Sequence, residues 1–244
     1  MVAGFVAGVR HVTRGFRLLG APGIRRFVVV PLLINLLLFG VALSSLDSAF
    51  ARLVAPYLAD WPAWIYGLAW ALFALLAAVL VFCTFSVFAN VVASPFTGPL
   101  AAAVERHLRG AAVTPAGAAP PFLGEALRAV AAELRKAVYI GVRALPLLLL
   151  TIIPGINAAA PLLWLLFGAW MLALEYLDYP FGNHGQVFPA VVAALRQERG
   201  MALGFGIGML AVTLTPVVNF LAVPVGVAAA TSLYCAHFAD GGPA

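Results

Sequence analysis

The chain has 244 residues, of which 64% are hydrophobic and 9% charged, and its mean hydropathy is +1.05. Soluble domains carry about one quarter charged residues, so 14 Lys and Arg with 9 Asp and Glu cannot furnish a wetted surface for this chain. A disordered chain, a coiled coil and a secreted disulfide scaffold are excluded on the same grounds, which leaves an all-α integral membrane protein. The formal net charge of +5 reads as membrane orientation rather than nucleic-acid binding, because cytoplasmic flanks of membrane helices collect Lys and Arg.

Residues 1–26 hold Arg10, Arg14, Arg17, Arg25 and Arg26 and no acid. Phe5, Val9, Val12, Phe16 and Leu19 share one helical face and Arg10, Arg14 and Arg17 the other, the pattern of an interfacial helix on an anionic leaflet. Phe27 to Leu46 is uncharged and long enough to cross about 30 Å of hydrocarbon. A cleavable signal is the competing reading, with Ala49-Phe50-Ala51 as the small-residue site. Its apolar core, however, would exceed the usual length of about 7–15 residues. A short polar loop with Asp47, Arg52 and Asp60 follows, and Tyr57, Trp61, Trp64 and Tyr66 place it at a membrane face. Residues 61–92 predict a second membrane helix, which Ser94-Pro95-Phe96-Thr97-Gly98-Pro99 is expected to break.

Residues 100–143 form an amphipathic polar section. Leu123, Leu127, Val130, Leu134 and Val138 lie on one face, Ala111 to Pro121 form a loop, and the charges from Glu125 to Lys136 make a solvated face. Two apolar regions follow, 144–174 and 200–236, with a polar stretch between them. Thr151-x-x-Pro154-x-x-Asn157 recurs 62 residues later as Thr213-x-x-Pro216-x-x-Asn219, and Pro161 and Pro224 follow the two copies. Proline lacks an N–H and clashes with the preceding turn, so each region is expected to be a proline-interrupted, partly penetrating helical hairpin. The first pairs a short arm, Pro146–Ile153, with a later arm, Pro161–Leu174, reaching about 20 Å. Matched interruptions of this kind point to a transport site.

Charge supports that topology. The N-terminus carries +5, residues 47–60 carry −1 and residues 105–143 carry +3, so both basic sections belong inside. Four full spans are the rival arrangement, with residues 175–199 on the opposite face. The whole chain, 1–244, is read as one membrane domain.

The sharpest local pattern is Pro22-Gly23-Ile24-Arg25-Arg26. Free N–H groups at a helix start favour an anion, Gly23 permits close backbone approach, and Arg25 and Arg26 supply forked donors for a tetrahedral oxyanion. The same residues also serve as a positive-inside anchor with phospholipid contacts. Glu105 and Arg109 stand four apart, as a surface ion pair or as a charged gate at a pore mouth. Asn35, Asn90, Asn157 and Asn219 are interhelical glue or pore lining. The run from Glu175 to His184 reads as an interfacial turn joining the hairpins, with proton shuttling as its alternative role.

No zinc-protease helix, nucleophile elbow or Walker phosphate loop is present, so neither an enzyme nor an ATP-driven pump is expected. Cys83 and Cys235 lack metal-ligand spacing, and no metal or cofactor is called for. Two readings stand beside transport: a non-transporting membrane scaffold or regulator, and a lipid-modifying enzyme using Glu175 or Asp178.

The runs GFRLLGAPGIRRFVVVPLLINLLLFG (15–40), NVVASPFTGPLAAAVERHLRG (90–110), IPGINAAAPLLWLLFGAWMLALEYLDYPFGNHG (153–185) and TPVVNFLAVPVGVAAAT (215–231) resemble the bacterial CysZ sulfate permeases. The resemblance covers nearly the whole chain in the same order and departs at the Ala/Pro-rich loop 111–121. It implies a multi-pass inner-membrane permease that admits sulfate for cysteine biosynthesis, and the lack of an ATPase motif makes a channel-like or proton-linked mode the expectation. It implies two long membrane helices, two partly penetrating hairpins and assembly as a homo-oligomer among membrane lipids. The family's sulfate site falls on Gly23, Ile24, Arg25 and Arg26, and its pore-mouth acid and base fall on Glu105 and Arg109. Sulfite, thiosulfate and molybdate present the same oxyanion chemistry to arginine forks.

Overall fold

The computed structural model describes residues 1–110, 122–153, 155, 157–215 and 218–239, with the backbone alone at 35, 39, 43, 78, 80–95 and 122–132. The α-helices are α1 (Val2–Leu19), α2 (Arg26–Ser44), α3 (Leu46–Leu53), α4 (Ala63–Arg109) and α5 (Phe122–Ile152). They continue with α6 (Ala160–Asn183), α7 (Phe188–Gln197), α8 (Arg199–Leu214) and α9 (Ala222–His237). Among the described residues there is no strand. Among the described residues, three stretches, Arg26–Leu53, Asn157–Asn183 and Val218–His237, are long and apolar enough to cross a membrane. The chain divides into two compact units, Val28–Phe96 and Met1–Phe27 with Thr97–Ala244.

In the unit Val28–Phe96, α2 exposes Leu33, Leu36 and Leu37 and α4 exposes Leu68, Leu72, Leu75 and Leu76, as helices facing lipid do. The expected polar loop after α2 is instead mostly helical. Leu46, Phe50 and Leu53 share a face, and the ring of buried Phe50 stands edge-on to Tyr66 and Phe73 at 5.2 and 5.4 Å. Trp70 Nε1 donates to Asp47 Oδ1 at 3.2 Å, while Tyr57, Trp61 and Trp64 are exposed at the same end. Those amphipathic rings at one end of an apolar pair fit a headgroup boundary.

The break expected at residues 94–99 is absent, since α4 runs 47 residues from Ala63 to Arg109. Pro95 and Pro99 each remove one backbone donor, but the helical hydrogen bonds on either side carry the helix across them. On that stretch Asn183 Nδ2 donates to the Gly98 carbonyl at 3.0 Å.

In the other unit, α1 carries the main surprise. Its buried positions are Gly8, His11, Val12, Gly15 and Leu18, whereas Phe16 is 37% exposed. The face expected to meet the leaflet is therefore not the one most deeply buried, because α1 packs against α8 and α9. A Cβ at Gly8 would overlap the backbone of Met201 and Phe205, and one at Gly204 would overlap the backbone of Phe5. Such small-residue faces let helices approach to backbone contact where apolar solvent gives no hydrophobic drive. Gly4 and Gly8 meet residues 200–205 and Val12 meets Gly208, so α1 and α8 run parallel. Gly15 meets Val225 and Ala229, and His11 Nδ1 pairs with Ser232 Oγ at 3.0 Å, so α1 and α9 run antiparallel.

By the same logic α8 and α9 reverse direction relative to one another. Between α5 and α6, Trp170 Nε1 donates to Tyr139 Oη at 3.1 Å and Trp164 Nε1 to Thr151 Oγ1 at 3.2 Å, which makes that pair antiparallel too. The two motif copies end their helices alike. Thr151 and Thr213 each donate to the carbonyl four residues back, at 2.8 and 2.9 Å. The Asn157 N–H donates to Ile153 O at 3.1 Å, and the Asn219 N–H donates to Thr215 O at 2.8 Å. A short 3₁₀ turn follows each, Asn157–Ala159 and Val218–Leu221. Pro154 and Pro216 themselves lie outside the described residues.

Two arm lengths differ from expectation. Pro146 lies inside α5 and is exposed, so the incoming arm is the end of a 31-residue helix. The outgoing arm, α6, has 24 residues and reaches about 36 Å, because Tyr176, Leu177, Pro180 and Phe181 bury and carry the helix past Leu174. Helices α8 and α9, at 16 residues each, reach about 24 Å.

Gly204→Val is expected to destabilise the unit by about 2 kcal/mol through overpacking at the α1–α8 contact, read from thermal unfolding in detergent. His11, 9% exposed, has its pKa lowered to about 4 by burial and by the nearby His237 and Arg14. A depressed histidine pKa stabilises the fold above the unfolded value of 6.5, and that contribution is lost as pH falls toward 4. Unfolding at stepped pH is expected to show this loss, about 3 kcal/mol in full, and His11→Gln is expected to flatten it.

Candidate functional site

Helix α1 gives way at Gly20 to a tight turn that leads into α2. Ala21 N–H donates to Leu18 O at 3.0 Å, and Ala21 O accepts from the N–H groups of Ile24 and Arg25 at 3.1 and 3.3 Å. Gly23 has φ +84°, a left-handed conformation that a side chain would strain. Its N–H makes no backbone hydrogen bond among the described residues. Ile24 is 1% exposed and belongs to the buried cluster that holds Leu18, Leu100 and Val104. The side chain of Ile24 thus anchors the turn, and its N–H is already occupied by Ala21.

That anchoring turns Arg25 and Arg26 outward, and both are exposed. The Arg26 guanidinium carbon lies 4.8 Å from the centroid of the Phe27 ring. Among the described residues no carboxylate lies within ion-pair distance of either arginine. The two guanidiniums therefore keep donors available to an anion from solvent.

Ala21 and Leu18 also line a cleft of about 580 Å³ with Arg10, Thr13, Arg14, Arg17 and His107. Arg10, Arg14 and Arg17 share the face the sequence assigns them, and no carboxylate lines the cleft. Like charges one helical turn apart repel, and an anion between them relieves the repulsion. Sequence reasoning placed the arginines but not the cleft, because His107 comes from the far end of α4.

Glu105 is 3% exposed, and His184 Nε2 donates to its two oxygens at 3.0 and 2.9 Å. Arg109 is present at 3.8 Å, the four-residue spacing having brought it to the same face. The His184 ring stacks on Tyr234 at 5.1 Å, and Phe181 stands edge-on to Tyr234 at 4.9 Å. A buried carboxylate is tolerable only with such partners. The histidine is the closer partner, and no local spacing signals it, since 79 residues separate the two. His184 follows directly on α6, so the run 175–184 is largely helix rather than the expected turn.

The face from Glu125 to Lys136 departs from expectation at Lys136. Its ammonium pairs with Asp178 on α6 and lies 3.4 Å from Glu133. Burial opposes its charge, yet the Asp178 hydrogen bond and the negative charges of Asp178, Glu175 and Glu133 prevail, so its pKa stands above the usual lysine value. The side chains of Asn35 and Asn90 lie outside the described residues, and Asn157 and Asn219 are exposed.

His184→Ala is expected to cost about 3 kcal/mol, because a buried carboxylate loses its nearer partner. Glu105→Gln added to it is expected to recover part of the loss, so a double-mutant cycle on unfolding should report coupling.

Residues 11–224 match the family model described as Sulfate transporter CysZ/Etoposide-induced protein 2.4. The chain is 41% identical over 235 residues to the sulfate transporter CysZ of Pseudomonas fluorescens, covering 95% of this chain and 94% of that protein. It is 38% identical over 229 residues to the protein of that name from Pseudomonas paraeruginosa, covering 93% of each. It is 39% identical over 237 residues to the one from Vibrio cholerae, covering 95% of this chain and 94% of that protein. Matches of this extent, spanning both the Gly23–Arg26 turn and the Glu105–His184 pair, show that the chain belongs to the Sulfate transporter CysZ/Etoposide-induced protein 2.4 family.

Proposed function

We propose that this protein is a sulfate permease of the bacterial inner membrane, supplying sulfate for cysteine biosynthesis, and that Gly23, Ile24, Arg25 and Arg26 form its anion-capture site. The observation that carries the assignment is the turn itself, where a buried Ile24 fixes two exposed guanidiniums that no carboxylate neutralises among the described residues. Arg25 and Arg26 hold the tetrahedral dianion, the Gly23 N–H donates to it, and Ile24 positions the turn. The basic cleft of Arg10, Arg14 and Arg17 lies next to this turn along the chain and raises the local concentration of anions.

The site is open and its partners few, which favours release as well as capture, as conduction requires. Sulfate entering a negative interior opposes the membrane potential by about 4.6 kcal/mol per 100 mV, twice the single-charge value. Uptake then runs on low internal sulfate or on accompanying protons. Glu105 and His184 are the pair we assign to a proton-linked route, with Arg109 beside them at the pore mouth. The two hairpins, α5–α6 and α8–α9, enter and leave by one face and border the passage, and the protein works as a homo-oligomer. Transport rather than catalysis is its activity, in keeping with relatives named as transporters.

Labelled-sulfate flux into liposomes tests the site. Arg25→Ala with Arg26→Ala is expected to cut flux about tenfold or more, the loss that one charge-assisted hydrogen bond represents. Wild-type flux in that double variant refutes the capture site, whereas no flux from unaltered protein refutes the permease reading. A pH gradient across the same liposomes is expected to raise flux in the wild type and not in Glu105→Gln.

A further inference from the structure

A second basic cleft, of about 330 Å³, lies between α5 and α7, remote in sequence from the Gly23–Arg26 turn. Arg135, Arg143 and Arg196 rim it, and Tyr139, Phe188 and Val192 line its floor. The floor is set before anything binds. Tyr139 and Phe188 meet edge to face at 5.3 Å, and Tyr139 Oη accepts from Trp170 on α6. The Arg143 guanidinium already rests 3.9 Å above the Tyr139 ring.

No carboxylate lines the cleft, and Lys136 beside it is neutralised by Asp178 and Glu133. Among the described residues, none of the three rim arginines pairs with an acid. Arg143 is the last charge before the uncharged residues 144–174, so the rim stands where the chain passes from polar to apolar surroundings. Beyond it α5 exposes Leu145, Leu148 and Leu149.

A free inorganic oxyanion would satisfy the guanidiniums and leave the aromatic floor in water. A phospholipid satisfies both, with its phosphate on the rim and its glycerol and first acyl carbons on the rings. We propose that this cleft is a specific site for an anionic phospholipid, which ties α5 to α7.

The test uses purified full-length protein in mixed micelles containing phosphatidylglycerol or phosphatidylcholine, with bound lipid counted by native mass spectrometry. Phosphatidylglycerol is expected to bind about tenfold better than phosphatidylcholine, and Arg135→Gln with Arg196→Gln is expected to bring the two within about twofold. Arg135→Lys with Arg196→Lys keeps the charge and is expected to keep most of the preference, which separates lost recognition from lost folding. An unchanged preference in the Gln variant overturns the proposal. So does displacement of phosphatidylglycerol by inorganic sulfate at equal concentration, since the cleft would then be a free-oxyanion site. Arg25→Ala with Arg26→Ala is expected to leave lipid binding intact, so this result stands apart from the sulfate-site test.

Discussion

Helix α1 lies against α8 with no side chain between the two backbones at Gly8 and Gly204, and much else follows from that contact. Apolar surroundings supply no hydrophobic force to bring helices together, so cohesion depends on close van der Waals fit. Once seated, α1 presents Arg10, Arg14 and Arg17 on its open side and delivers the chain to the Gly23 turn. Ile24 then locks that turn into the same core. The position of Arg25 and Arg26 is therefore an outcome of helix packing nearly a full helix length away.

Buried and half-buried polar groups are paired in the same way. His11 faces Ser232, Glu105 faces His184, and Lys136 faces Asp178, each across a helix–helix contact. The buried members, His11, Ser232 and Glu105, would be costly alone in a low-dielectric setting, and each pair helps fix how its helices are rotated. The two chain reversals obey a local version of this rule. Thr151 and Thr213 return their hydroxyls to backbone carbonyls, and the amides of Asn157 and Asn219 close onto the residue four back. Irregular backbone in an apolar region persists when its polar groups are met internally.

Basic residues fall into two clefts of different character. The one beside the Gly23 turn is rimmed by one face of α1, and no carboxylate lines it. The one between α5 and α7 has an aromatic floor, so its guanidiniums act together with apolar surface. Equal arginine numbers thus stand in different surroundings according to what lies beneath them.

Composition and periodicity alone determined that the chain is helical and apolar, that reversals follow Thr151 and Thr213, and that Arg25 and Arg26 stand at a helix start. These are properties of adjacent residues, and short-range chemistry carries them. The face α1 buries, the continuity of α4 past Pro95 and Pro99, the length of α6, and the partners of Glu105 and Lys136 were decided only in the tertiary structure. Of the apolar stripe Phe5, Val9, Val12, Phe16 and Leu19 only Val12 is fully buried, while Gly8 and Gly15 take the closest contacts, because closeness, not hydrophobicity, is what neighbouring helices select. Likewise Glu105 meets His184 through the packing of α4 on the end of α6, a juxtaposition of distant segments that no local pattern encodes.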